Sequence, residues 1–96
     1  MTPAEFKSSL QNSSPPQGID KLLEAMWHDA KGDWHKAHNI AQDVETPDGS
    51  WVHGYLHRVE GDESNAKYWY NRAGRNFPNL TLMEEWEEIV NEFLKG

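Results

Sequence analysis

The stretch Trp51–Ala73, WVHGYLHRVEGDESNAKYWYNRA, lies 29 positions after Leu22–Val44, LLEAMWHDAKGDWHKAHNIAQDV, and the two read alike. Gly61-Asp62 falls on Gly32-Asp33, Ala66 on Ala37, His57 on His28 and Gly54 on Ala25. Glycine followed at once by aspartate ends one helix and starts another. The glycine takes the left-handed turn, and the aspartate carboxylate accepts from backbone N–H groups of the next first turn. Small residues at Ala25 and Gly54, facing Ala37 and Ala66, let the two helix axes approach closely. The spacing therefore predicts a helix, a glycine corner and a second helix, used twice. A hairpin with one apolar face must stack on a neighbour to bury it.

The rest of the chain fits around this pair. Thr2-Pro3-Ala4-Glu5 reads as a capped helix start, and Asn12–Gly18 as a turn-rich linker. Apolar residues at helical spacing run from Ile19 to Ala30, and Trp34, Ala37, Ile40, Ala41 and Val44 share a face on the next helix. Thr46-Pro47-Asp48-Gly49 reads as a loop, followed by a helix carrying Val52, Tyr55, Leu56 and Val59. Ala66, Trp69, Tyr70 and Ala73 form the inner face of the helix after it, which Gly74 and Pro78 close. Thr81-Leu82-Met83-Glu84 is a capping box. It opens a helix with Leu82, Trp86, Ile89, Val90 and Phe93 on one side and Glu84, Glu85, Glu87, Glu88 and Glu92 on a solvated face. No segment alternates with period two, so the expected class is all-α. The expected division is a single domain over 1–96: an N-terminal helix and linker at 1–18, one hairpin at 19–44, a second at 47–77, and an acidic capping helix at 81–95.

Composition bounds the function. Apolar residues make up 36% of the chain and mean hydropathy is −0.90, values that by themselves point to weak folding. Five Trp, three Tyr and three Phe offset this, since each large ring can bury about 150–250 Å². Net charge is −7 with no basic stripe, which argues against nucleic acid and anionic membrane surfaces as partners. Without cysteine there is neither a disulfide framework nor thiolate chemistry. With no apolar run near 18 residues and no signal peptide after Met1, a cytoplasmic location is expected.

Ala66-Lys67-Tyr68-Trp69-Tyr70-Asn71-Arg72-Ala73, with Gly54, Gly61 and Pro78, resembles the tetratricopeptide superfamily and its Sel-like branch. The resemblance spans Leu22 to Pro78 and implies antiparallel helical hairpins serving as a binding scaffold. Ala41 stands where that pattern expects an aromatic. Trp51–Asp62 continuing into Asn65–Tyr70 also resembles a small bacterial protein family to which no role is attached. Only two hairpins, capped at both ends, leave little concave groove for a peptide.

The densest polar cluster is histidine: His28, His35, His38, His53 and His57. His53 and His57, at i and i+4, leave one helix face about 5–6 Å apart. An antiparallel neighbour can bring His38 beside them and complete a three-nitrogen site for a divalent metal, with water in the fourth position. Packing between helices, with one hydrogen bond per ring, is the competing account, and a non-metal ligand is a third. No glutamate sits inside the His pair as a general base beside zinc. Further candidate contact residues are Gln42 beside His38, Arg58 and Arg72 as anion clamps or as partners of Asp33, Asp62 or Glu60, and Tyr68 on the solvent side. A small anionic ligand held by Arg58 and the histidines is a further option. Trp27, Trp34, Trp51 and Trp69 read as core, with Trp51, behind a flexible loop, the most open of them.

Two functions follow. A non-catalytic module binding a protein, a peptide or a second copy requires an exposed aromatic patch and no convergent histidines. A metal-binding protein or small metalloenzyme requires the nitrogens of His38, His53 and His57 within reach of one point.

Overall fold

A computed structural model describes residues 1–95. Each of its helices begins at a residue able to satisfy free N–H groups. Thr2 and Glu5 form a reciprocal capping box that opens α1 (Pro3–Ser9). Asp20 caps α2 (Lys21–Ala30) and Asp33 caps α3 (Trp34–Gln42), the latter accepting from the Lys36 N–H at 3.2 Å. Thr46 caps α4 (Pro47–Glu60), and Asp62 caps α5 (Glu63–Arg72), accepting from the Asn65 N–H at 3.2 Å. Thr81 and Glu84 box the start of α6 (Leu82–Lys95). Among the described residues there is no strand, and no helix is long and apolar enough to cross a membrane.

The two glycine corners share one geometry. Gly32 and Gly61 have φ of 87° and 86°, a conformation that costs a side-chain-bearing residue but not glycine. At each corner the aspartate N–H donates back to a histidine carbonyl, Asp33 to His28 and Asp62 to His57, both at 2.9 Å. Ala25, Ala37 and Ala66 are fully buried at the approach of the paired helices. A Cβ on Gly54 would meet the Tyr70 ring and the Ala66 carbonyl at 3.2–3.3 Å, so α4 and α5 sit as close as a glycine permits.

α4 is the hub. It packs against α2, α3, α5 and α6, and every residue from Trp51 to His57 is buried. A helix buried all round needs apolar or fully bonded residues on every face. The termini of the fold close on each other: Phe6 of α1 packs on Trp86 of α6 with ring centroids 5.9 Å apart and the planes tilted by 38°. Trp86 Nε1 donates to the Met26 carbonyl and Trp27 Nε1 to the Ser9 hydroxyl, both at 3.1 Å. The radius of gyration, 12.4 Å, matches the roughly 12.5 Å expected of a compact chain this long, so all six helices share one core.

Five expectations are corrected. Thr46-Pro47-Asp48-Gly49 is not a loop but the cap and first turn of α4, with the Gly49 N–H donating to Thr46 Oγ1 at 3.0 Å. Gly49 is required there by space, because a Cβ would lie 1.9 Å from the Val44 carbonyl oxygen. Trp51 is core as expected but not the most open of the four tryptophans, since Trp34 and Trp69 are only partly buried. Ile19 and Val44 lie just outside α2 and α3 and pack on the core from there. The largest departure is Glu85, which is 1% exposed and not on the solvated face of α6. Its carboxylate accepts from Arg58 Nη1 at 2.5 Å, from the Tyr70 hydroxyl at 2.6 Å and from Trp51 Nε1 at 3.1 Å. Arg58 Nη2 donates to the Leu80 carbonyl at 2.7 Å. Arg58 therefore ties α4 to α6 and pairs with none of Asp33, Asp62 or Glu60.

Candidate metal centre

His38 faces α4 from α3, and the α-helical period carries His53 and His57 out on the same side of α4. The three rings meet. His38 and His53 lie with centroids 4.6 Å apart, His53 and His57 at 4.9 Å and nearly parallel, and His38 and His57 at 5.3 Å. One nitrogen from each ring lies within 4.8 Å of the other two. The closest pair, His38 Nε2 and His53 Nε2, is 2.9 Å apart, a hydrogen bond in which one ring supplies the N–H and the other the lone pair. A tetrahedral ion with bonds of ~2.0–2.1 Å spaces its ligand nitrogens about 3.3–3.4 Å apart. The closest pair parts by a few tenths of an ångström to reach that spacing, and nitrogens as far as 4.8 Å apart draw in by up to about 1.4 Å.

Neighbouring groups fix each ring. Trp34 stacks on His38 at 4.8 Å and 16°, and donates its own Nε1 hydrogen to the Leu56 carbonyl at 2.6 Å. Trp69 of α5 stacks on His53 at 3.8 Å and 12°. His57 Nδ1 is bonded to Glu60 Oε1 at 2.7 Å. When Nδ1 carries the hydrogen in that bond, Nε2 is left with its lone pair, the arrangement by which a carboxylate orients a metal-ligating imidazole. Burial, reinforced by the imidazoles of His38 and His57, pushes His53 down to about 4. Burial likewise lowers His38, with His57 adding to it. Both rings are thus neutral near pH 7, the form that ligates.

Other candidate residues fall into separate places. Gln42, His53 and Arg72 line one cleft of about 540 Å³ between the end of α3, the start of α4 and α5. Tyr68 is exposed and accepts a hydrogen bond from Arg72 Nη1 at 3.1 Å. Arg58 stands apart from the histidines, in the Glu85 network. His28 is buried and His35 exposed, both outside the trio. A second carboxylate-containing group, His57, Glu60 and Asp62, gathers at the Gly61 corner, but both Asp62 oxygens are occupied by Asn65. Sequence reasoning did not pick out Glu60, Trp34 or Trp69 as supports. The signals are the i, i+3 spacing of His57 and Glu60 and the i, i+4 spacing of Trp34 and His38.

No family model, curated protein or solved structure matches the chain.

Proposed function

We propose that this chain is a small helical metal-binding protein that holds one divalent transition ion through His38, His53 and His57. The scaffold in this reading is a pair of tandem antiparallel helical hairpins of the tetratricopeptide-like kind, α2–α3 and α4–α5, flanked by α1 and α6. The shared geometry of the two glycine corners and the buried alanines at both helix approaches support that arrangement. The observation that carries the function is the convergence of three imidazole nitrogens within 4.8 Å, against the separated rings a pure packing role would allow. Neutral imidazoles suit zinc, copper, nickel or iron, and three of them leave a fourth position for water or a ligand.

The test is metal analysis of untagged protein equilibrated with zinc and desalted. One ion per chain is expected, lost in His53→Ala and in His38→Ala and kept in His28→Ala, with circular dichroism showing that each variant is folded. A wild-type chain that retains no metal, or a folded His53→Ala that retains it, would overturn the proposal.

A second reading, a module binding a protein, a peptide or another copy, draws on the 52% exposure of Tyr68 and its bond to Arg72 on the outer side of α5. Light scattering of the wild type and Tyr68→Ala tests self-association, and a monomer unaffected by the substitution rules that form of it out.

A further inference from the structure

The cleft beside the histidines has a chemistry of its own. Its volume, about 540 Å³, is that of a small-molecule site, and Gln42, Glu45, Ser50, His53, Trp69 and Arg72 contribute its polar and aromatic lining. His53 belongs to both places: its ring lines the cleft while its Nε2 faces His38. Arg72 is held in position without being neutralised. Its guanidinium lies over Trp69, 5.2 Å from the ring centroid, and over Tyr68 at 5.8 Å, with Nη1 donating to the Tyr68 hydroxyl. Among the described residues no carboxylate comes within ion-pair distance of it, in contrast to Arg58, whose charge is spent on Glu85. An arginine keeps several N–H donors in a planar fork after giving one to a tyrosine, and that fork fits a carboxylate or phosphate. Among the described residues, Glu45 is the one carboxylate on the cleft lining. A divalent ion at the histidines would add two positive charges beside His53, the ligand that the cleft shares, and Arg72 adds a third, together outweighing Glu45.

We infer that this cleft binds a small oxyanion, a carboxylate or a phosphate monoester, gripped by Arg72 and by the ion held by the histidines, which the cleft meets at the shared His53. The inference rests on the metal reading and names the ligand class of that same site. Gln42 and Ser50 supply neutral hydrogen-bonding groups on the cleft lining.

Cobalt(II) reports both steps, because its visible bands depend on the donor atoms around it. Untagged wild-type protein and Arg72→Gln are loaded with cobalt(II) and titrated with acetate and, separately, with phenyl phosphate. Both proteins are expected to take up one ion with the same visible spectrum. At least one anion then changes the wild-type spectrum saturably, and Arg72→Gln weakens that anion at least tenfold, since a charge-assisted fork is lost. Arg72→Lys, which keeps the charge without the fork, falls between. The anion that binds more tightly says whether the ligand is a carboxylate or a phosphate. If cobalt binds but neither anion perturbs its spectrum, or if Arg72→Gln binds the anion as tightly as the wild type, the inference falls and the metal reading stands. If no cobalt is taken up, both fall together.

Discussion

Replacing Glu60 by alanine removes the group that holds His57 Nδ1 at 2.7 Å and leaves all three histidines in place. Without it the imidazole can turn about its side-chain bonds, which moves Nε2, or adopt the other tautomer, which puts the hydrogen on Nε2 and removes the lone pair that would ligate. Loss of such an orienting carboxylate costs about 10–100-fold in metal affinity. At roughly 1.4 kcal/mol per tenfold, that is about 1.4–2.8 kcal/mol of binding free energy. The effect on folding is smaller, because the Glu60 side chain is 36% exposed and bonds between such groups contribute about 0–1 kcal/mol. The assay is competition for zinc against a chromophoric chelator, on wild type, Glu60→Ala and Glu60→Gln, with thermal unfolding recorded in parallel. Glu60→Gln keeps an acceptor oxygen without the charge and should fall between the other two. The reasoning is refuted if Glu60→Ala binds zinc within twofold of the wild type while His53→Ala does not bind it.

Three further outcomes follow from the packing and the charge states. Glu85→Ala strips the acceptor from Arg58, Tyr70 and Trp51 at once, and breaking one side of a buried ion pair costs about 3–5 kcal/mol; urea unfolding should show a loss of that size or no cooperative transition, and a change under 1 kcal/mol would contradict the network. Gly49→Ala sets a Cβ against the Val44 carbonyl and should cost more than the roughly 1–3 kcal/mol of ordinary overpacking, and more than Gly54→Ala, whose contacts at 3.2–3.3 Å can relax; the reverse order in thermal melts would refute it. His53 titrates near 4 when folded against an ordinary 6.5, so its contribution to the metal-free protein is complete above about pH 6.5 and fades as pH falls toward 4. About 2 kcal/mol should be gone by pH 5, visible as a falling Tm between pH 7.5 and pH 5 that His53→Gln flattens, and an unchanged wild-type Tm would contradict the burial of that ring.

Local signals were readable and long-range ones were not. The Gly32 and Gly61 corners, the Asp33 and Asp62 caps and both capping boxes are decided within five or six residues, so the order of residues displays them directly. His53 and His57 share a face by helical period alone, and His38 joins them once consecutive helices are expected to run antiparallel. Thr46-Pro47 repeats the Thr2-Pro3 start, yet Pro-Asp-Gly is also a turn signal, and the local pattern does not arbitrate between the two. Glu85 was beyond reach: on α6 it is one glutamate among several, and only the placement of α4 and α5 supplies the three donors that bury it. Arg58 was misassigned for the same reason, since its partner lies 27 residues away and nearer carboxylates competed in the reading. The cleft wall formed by Trp69 and Arg72 likewise depends on how α5 sits against α3 and α4.

Glu85 also imposes an order on assembly. A ribosome exposes the segment bearing Arg58 and Tyr70 well before the one bearing position 85, so a chain halted ahead of residue 82 lacks the acceptor for the Tyr70 phenol and the Trp51 indole, and leaves the Arg58 guanidinium only the Leu80 carbonyl. Arrival of a single carboxylate then seals three hydrogen-bonding debts together, which makes α6 the latch of the domain rather than a lid laid over a finished core.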